Sequence, residues 1–207
     1  MPTFPDPDTR NVLQPGCSRC PELADCRTEI SWGNGPGDAS VLVVGEAPAA
    51  GDTTADQWQG GNLTGLAYTS RHSGRLVRDL FAELGYDPYF TNAVKCYPAD
   101  GEGSNREPTA EELANCREHL RTEIEQVEPE VVVPTGRHAT ESVLAFEDEK
   151  LDGFLDSVLE PIRCNSLGVV VVPILHPSYQ NIWLARLGYE YEEYVDELGS
   201  CIDAWLS

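Results

Sequence analysis

Seven cysteines stand at positions 17, 20, 26, 96, 116, 164 and 201 of this 207-residue chain. Cys17 and Cys20 form a CxxC pair, a spacing that suits two thiolates on one metal ion or cluster. Cys96 closes the stretch "TNAVKC", and Cys116 stands on the next helix-like stretch after nineteen intervening residues. That distance is too long for a second CxxC pair. Together with Cys17 and Cys20, however, the two make four soft ligands drawn from three segments. Four thiolates can hold zinc or an iron–sulfur cluster, and spacing alone does not choose between them. The competing reading is that Cys96 and Cys116 are small buried apolar residues. Cys26 is a substitute ligand, and Cys164 and Cys201 read as packed cysteines.

A second set of residues could do chemistry on a base or a sugar. His176 directly succeeds an apolar run and precedes Pro177, where it can donate to charge developing on a leaving group. Asn92 sits inside "YFTNAV", although asparagine is disfavoured in strands. An amide offers both a donor and an acceptor, which can pair with the edge of a nucleobase. Glu46 and Asp52 lie on the loop after "VLVVG", and either carboxylate can orient a water. The few basic residues are concentrated: Arg71, His72, Arg75 and Arg78 in one stretch, with Lys95, Arg106, Arg137 and His138 near other strand ends. Of these, Arg71, Arg75, Lys95 and Arg106 are the expected phosphate contacts.

These residues need elements to bring them together. "SVLVVG", "YFTNAV", "EVVVPTG" and "LGVVVVPIL" read as four buried strands, alternating with helical patterns such as "SGRLVRDLFAELG" and "TAEELANCREHLRTEIEQV". The first of these helices has apolar residues at 76, 77, 80, 81 and 84 and stops at Gly85. The second opens on a capping box, Thr109 with Glu112. Such alternation predicts a mostly parallel sheet with helices on both faces. Ligands of such sheets bind outside the carboxyl ends of the strands. "GEAPA", "TNAVKC", "PTGRH" and "HPSYQN" should therefore share one edge, with the long glycine-rich loop 46–72 over it. Residues 1–16 read as a loose arm, and 17–207 as a single domain. The tail from about Tyr189 to Leu206 reads as an acidic amphipathic helix.

The charge balance is extreme: 35 acidic residues against 14 basic, a net charge of −21, with Lys95 and Lys150 the two lysines. In ordinary buffer such a surface repels itself and repels nucleic acid. At 1 M salt the screening length falls to roughly 3 Å, so a salt-adapted cytoplasm accommodates both the surface and a DNA partner. No apolar run reaches the ~20 residues of a membrane helix, and the N-terminal residues lack a signal pattern. A cytoplasmic, monomeric protein without a membrane partner is expected.

Six segments, "CSRCPEL", "VVGEAPA", "TNAVKCYP", "NREPTAEELANCREHL", "PEVVVPTGRHA" and "HPSYQN", occur in an order that resembles the iron–sulfur branch of the uracil-DNA glycosylase superfamily, its families 4 and 5. The resemblance implies an α/β/α sandwich around a mostly parallel four-stranded sheet, and a structural [4Fe–4S] cluster on Cys17, Cys20, Cys96 and Cys116. It implies a DNA repair enzyme that flips uracil, or another deaminated base, out of DNA and hydrolyses its N-glycosidic bond. His176 would then stabilise the departing base and Asn92 would read its edge. Gly45, Ala47 and Ala49 would wall the pocket, Ser178 would face the substrate, and Tyr179 and Gln180 would wedge into the duplex.

The chain also departs from the pattern. "GEAPA" mixes features of the two families, and of the two carboxylates Asp52 is preferred over Glu46 as the group that orients water. Leu63 stands where the family stacks an aromatic ring on the base, so that Tyr68 or Trp58 from the lengthened loop would have to replace it. These departures motivate the alternative, a non-catalytic iron–sulfur paralogue that binds nucleic acid or damaged bases.

Overall fold

Runs of β-branched and aromatic residues suit a pleated, buried setting, and they are the strands of this protein. In the computed structural model these are β1 (Val41–Gly45), β2 (Tyr89–Asn92), β3 (Val131–Pro134), β4 (Ile162–Cys164) and β5 (Val169–Val171). The structure describes residues 2–102, 104–147, 151–177 and 180–206, with residues 180 and 181 described by backbone alone. One sheet takes the order β2-β1-β3-β5-β4. β1 pairs parallel with β2 and β3, β3 pairs parallel with β5, and β4 pairs antiparallel with β5.

The sheet thus has five strands rather than the four expected. β4 spans three residues with exposed Arg163 at its centre, so it carries no apolar run to announce it. It forms because of the turn after it, where Gly168 at φ +69° donates to the Asn165 carbonyl and folds the chain back on β5.

Alternate side chains of each strand point to opposite faces, which is why both faces of "VLVV" are apolar. On one face Val41, Val43, Phe90 and Val133 meet helices α3 (Ser73–Glu83), α7 (Gln180–Leu187) and α8 (Tyr191–Asp203). On the other, Leu42, Val44, Tyr89 and Val132 meet α4 (Ala110–Val127) and α5 (Arg137–Leu144). Three layers result, as expected for α/β/α, with the short helices α1 (Pro21–Cys26) and α6 (Phe154–Ser157) in the connections.

Helices α4 and α8 begin or pack as their sequences dictate. α4 starts at the expected capping box: Thr109 Oγ1 accepts from the Glu112 N–H and Glu112 Oε2 accepts from the Thr109 N–H, at 3.2 and 2.8 Å. α8 folds onto the sheet through Tyr194, Val195, Leu198 and Ile202, leaving its carboxylates outward. The expected stop of α3 holds at Gly85, at φ +82°, although Leu76 on the expected apolar face is 51% exposed.

Loop 46–72 contains one short helix, α2 (Gly61–Thr64), and is tied down by bridges between Gln59 and Ser70 and between Trp32 and Leu66. Of the N-terminal arm, the Asn11 N–H donates to the Gly33 carbonyl at 2.8 Å, Arg10 donates to the Ile30 carbonyl at 2.8 Å, and Phe4 packs edge-on against Trp58. Among the described residues no helix is long and apolar enough to cross a membrane.

Candidate active site and cysteine centre

Four segments leave the sheet at the carboxyl ends of β1, β2, β3 and β5, and between them lies a cavity of about 730 Å³. Gly45, Glu46, Ala47, Ala49, Asn92 and His176 all line it, so the strand-end motifs share one edge. The cavity falls where the strand order turns from β2 on one side of β1 to β3 on the other, the usual crevice of an open sheet of this type.

Asn92 ends β2 and is 5% exposed. Its backbone is in register with Gly45. Among the described residues its side-chain amide makes no hydrogen bond, although its carbonyl accepts one. Its free donor and acceptor open onto the cavity, where they can pair with a ligand. Gly45 makes room for the amide: a Cβ at that position would lie 2.4 Å from Asn92 Oδ1 and 2.9 Å from the Tyr68 hydroxyl.

Tyr68 brings an aromatic ring to the cavity, which Phe154 and Trp183 also line. Its backbone adopts φ 55°, left-handed for a residue with a side chain, which costs roughly 1–3 kcal/mol. Several contacts hold it there: Arg78 Nε donates to the Tyr68 carbonyl at 2.9 Å, the hydroxyl bonds to Thr135 Oγ1 at 2.8 Å, and the ring packs tilted on Phe90. Burial pushes its phenol pKa upward, so the ring stays neutral. Leu63 does not line the cavity; its Cδ1 packs against Gly51. Leu63, expected as a substrate contact, is therefore placed outside the cavity wall, and Tyr68, one of its two expected replacements, is on it. Trp58 turns elsewhere, edge-on to Phe4 and beneath the Arg75 guanidinium at 5.6 Å.

His176 comes two residues after Ile174, which bridges to Thr135 across the strand ends. A Cβ on Gly136, at φ +88°, would lie 3.1 Å from His176 Cβ, so this glycine gives the imidazole its close packing. Burial lowers the pKa of His176 below 6.5, leaving a neutral ring at neutral pH. Glu46 is half-buried on the same cavity, and burial raises its carboxyl pKa above 4.5, opposed by His138 and reinforced by Glu107.

Asp52 is corrected as the preferred carboxylate. It lies outside the cavity lining, its Oδ1 accepts from Thr54 N and Thr54 Oγ1 at 2.9 and 2.6 Å, and those bonds hold its pKa low. Lys95 is corrected as a phosphate contact, being 1% exposed and ion-paired with Glu123. Arg106 rims the cavity, but its guanidinium is spent on both oxygens of Glu112, at 2.8 and 2.6 Å. Arg71 is exposed and Arg75 half-exposed, both away from the cavity wall. Ser178 and Tyr179 lie outside the described residues, as does the side chain of Gln180.

Asn105 carries a role that its sequence position does not suggest. Its Nδ2 donates to the Pro48 carbonyl at 3.1 Å and its Oδ1 accepts from the Ala50 N–H at 3.2 Å, so one amide clamps the loop after β1 from across the cavity. Asn62 grips the same loop by donating to the Ala50 carbonyl at 3.1 Å. In the sequence both read as ordinary loop asparagines, because the Asn105 clamp joins segments about fifty residues apart.

The four cysteines come together beside this cavity. Cys17, Cys96 and Cys116 are buried in one small apolar group with Leu23, Ile30, Trp32 and Val94, and Cys20 packs against it. N–H donors reach two of the sulfurs: Arg27 Nη1 to Cys96 at 3.2 Å and Asn115 Nδ2 to Cys20 at 3.4 Å. Cys17 Sγ lies 3.5 Å from His119 Nε2. Burial pushes the Cys116 thiol up to about 12, so any group that binds it as thiolate must displace a proton. Among the described residues no three His, Cys, Asp or Glu side chains are gathered closely enough to grip a single metal ion.

Comparison with known proteins agrees with this architecture. The sequence pattern of the Uracil DNA glycosylase superfamily matches residues 32–199. A type-5 uracil-DNA glycosylase of Pyrobaculum aerophilum is 34% identical over 205 residues, covering 84% of this chain and 83% of the relative. A type-4 uracil-DNA glycosylase of Thermotoga maritima is 34% identical over 79% of this chain and 77% of its own. A type-4 uracil-DNA glycosylase of Archaeoglobus fulgidus is 29% identical over 88% and 86%. With its open parallel sheet, its strand-end cavity and a match over most of its length, the chain belongs to the uracil DNA glycosylase superfamily.

Proposed function

We propose that the protein is a DNA repair glycosylase that hydrolyses the bond between uracil and deoxyribose in DNA. The observation that carries this reading is the unpartnered Asn92 amide, buried in the cavity with His176 and Glu46. An amide presents a donor and an acceptor together, as the edge of uracil does in complementary order. Duplex bases are out of reach of so recessed a group, so the target nucleotide must be flipped. Tyr68 offers a neutral aromatic surface in the same cavity. The N-glycosidic bond breaks toward an oxocarbenium-like sugar and an anionic base. Neutral His176 donates a hydrogen bond to that developing charge. The half-buried Glu46 carboxylate orients the water that attacks the sugar carbon and takes up its proton. The products are free base and an abasic site.

The cysteine centre fits an iron–sulfur cluster: four sulfurs from three segments, an apolar shell and N–H donors directed at the sulfur atoms. A cluster holds its thiolates further apart than a single ion does. Cys17, Cys20, Cys96 and Cys116 would hold a [4Fe–4S] group, which supplies a cross-link between the N-terminal segment, the end of β2 and α4. The reading extends to a salt-adapted cytoplasm, because a surface at net charge −21 approaches DNA only where salt screens it. Arg71 and Arg75, on the rim of the long loop, are the phosphate contacts that this reading keeps.

The non-catalytic alternative leans on Leu63 and on the aspartate that the family 5 pattern carries shortly after its "TG", where this chain has Leu66. Tyr68 answers only the first, by bringing a ring to the cavity. The test is incubation of anaerobically purified protein with an oligonucleotide carrying one uracil, in potassium chloride at molar strength. Alkali-labile abasic product is expected. Tight binding with no abasic product from folded, iron-loaded protein would favour the binding paralogue instead.

A further inference from the structure

Lys95 and Glu123 form an ion pair at 2.5 Å, with side chains 1% and 0% exposed. Buried charges are tolerated only with tight geometry and their remaining hydrogen bonds made, and both conditions hold. Lys95 Nζ has three protons and donates to Glu123 Oε2, to Thr91 Oγ1 at 2.6 Å and to the Asn92 carbonyl at 2.6 Å. Glu123 Oε2 also accepts from Thr91 Oγ1 at 2.6 Å. Its Oε1 accepts from the Gly33 N–H at 3.1 Å and the Tyr89 hydroxyl at 3.4 Å.

The pair sits where the sheet runs out. β2 is an edge strand, and Phe90 turns its N–H and C=O outward to Asn34, at 2.8 and 3.0 Å. Two residues on, the Asn92 carbonyl turns to the same side, and Lys95 Nζ receives it. On the inner side the same peptide is held by β1, because the Ala93 N–H donates to the Gly45 carbonyl at 2.7 Å. The backbone carrying the Asn92 amide is therefore gripped from both sides. Lys95 is itself anchored beside the cysteine centre: it immediately precedes Cys96, and its carbonyl accepts from the Ser31 N–H at 2.7 Å.

We propose that Lys95, oriented by Glu123, is a positioning residue for base excision: it fixes the Asn92 carbonyl and so aims the Asn92 amide into the cavity. The proposal rests on the reading of Asn92 as the group that recognises the base. An apolar pair of equal volume would fill the same space without holding that carbonyl.

The experiment is a mutant cycle read as single-turnover excision from a uracil oligonucleotide in molar potassium chloride. Lys95→Met/Glu123→Gln removes both charges at nearly constant shape, leaving no unpaired ion. Thr91→Val, nearly isosteric, deletes only the bridging hydroxyl and covers the case in which the double variant does not fold. Each is expected to slow excision, the double variant by about ten- to a hundredfold and Thr91→Val by less, with iron content and affinity for abasic DNA unchanged. In an Asn92→Ala background the same changes should alter the rate by less than about twofold, because the group they position is gone. Losses that multiply in full on top of Asn92→Ala would overturn the proposal while leaving the reading of Asn92 intact. An Asn92→Ala protein that excises at the normal rate would remove that reading, and the proposal with it.

Discussion

Two carboxylates six residues apart behave differently because their surroundings differ. Glu46 lines the cavity with its pKa raised by burial, whereas Asp52, outside the cavity wall, is held low by its hydrogen bonds to Thr54. Glu46→Gln should cut excision by about a hundredfold, and Asp52→Asn should leave it within about twofold; single-turnover rates check both. The sign of the Glu46 shift sets the pH dependence. A carboxyl whose pKa is raised stays protonated to higher pH, so the base is lost on acidification earlier than for a free glutamate. The acid limb of kcat/KM should therefore lie above pH 4.5, and Glu46→Gln should abolish it. An unchanged limb in that variant would assign the titration to another group. At this scale the sequence is only partly legible. Asn92, His176 and Glu46 can be found because each ends a buried run, where a polar residue is out of place. Asp52 and Leu63 mislead because linear spacing in a long loop does not say which side chain turns inward. Tyr68 turns inward through a left-handed backbone that no local pattern announces.

Helix α4 connects the cysteine centre with the edge of the sheet. It carries Cys116, Asn115 and His119 beside the sulfurs and Glu123 beside β2. Its N-terminal cap lies beside the cavity rim, because capping residue Glu112 also binds Arg106. Thr109→Ala should cost about 1 kcal/mol, measured by chemical denaturation in molar potassium chloride, with excision by the folded fraction unchanged. At the end of β1 the demand is steric. Gly45→Ala would place a methyl 2.4 Å from Asn92 Oδ1, and excision should fall by about tenfold or more with the fold, read by circular dichroism, unchanged. Normal excision by that variant would show that the Asn92 amide can move away freely. The elements themselves are largely legible, because α4 has a capping box and four strands are continuous apolar runs. β4 is not, since three residues with an arginine at the centre become a strand only through pairing with β5.

The molecule as a whole is an acidic body, at net charge −21, whose proposed substrate is also an anion. Self-repulsion should make the fold salt-dependent, so the thermal midpoint is expected to rise between low and molar potassium chloride and to do so less for a variant with surface acids neutralised. A midpoint indifferent to salt would contradict the salt-adapted reading. The gross function is legible because each motif follows a parallel strand, and parallel strands put their carboxyl ends on one edge of the sheet, where Glu46, Asn92 and His176 line one cavity. The fate of Lys95 is not legible, since a lysine near a strand end looks like a phosphate contact until Glu123 is found facing it. The most direct measurement is release of free uracil from a single-uracil oligonucleotide in molar potassium chloride by the iron-loaded protein, alongside its Asn92→Ala and His176→Ala variants. The account predicts free uracil and an abasic site from the parent protein, and rates about 10²–10³-fold lower in each folded variant. Equal rates in all three proteins would contradict it.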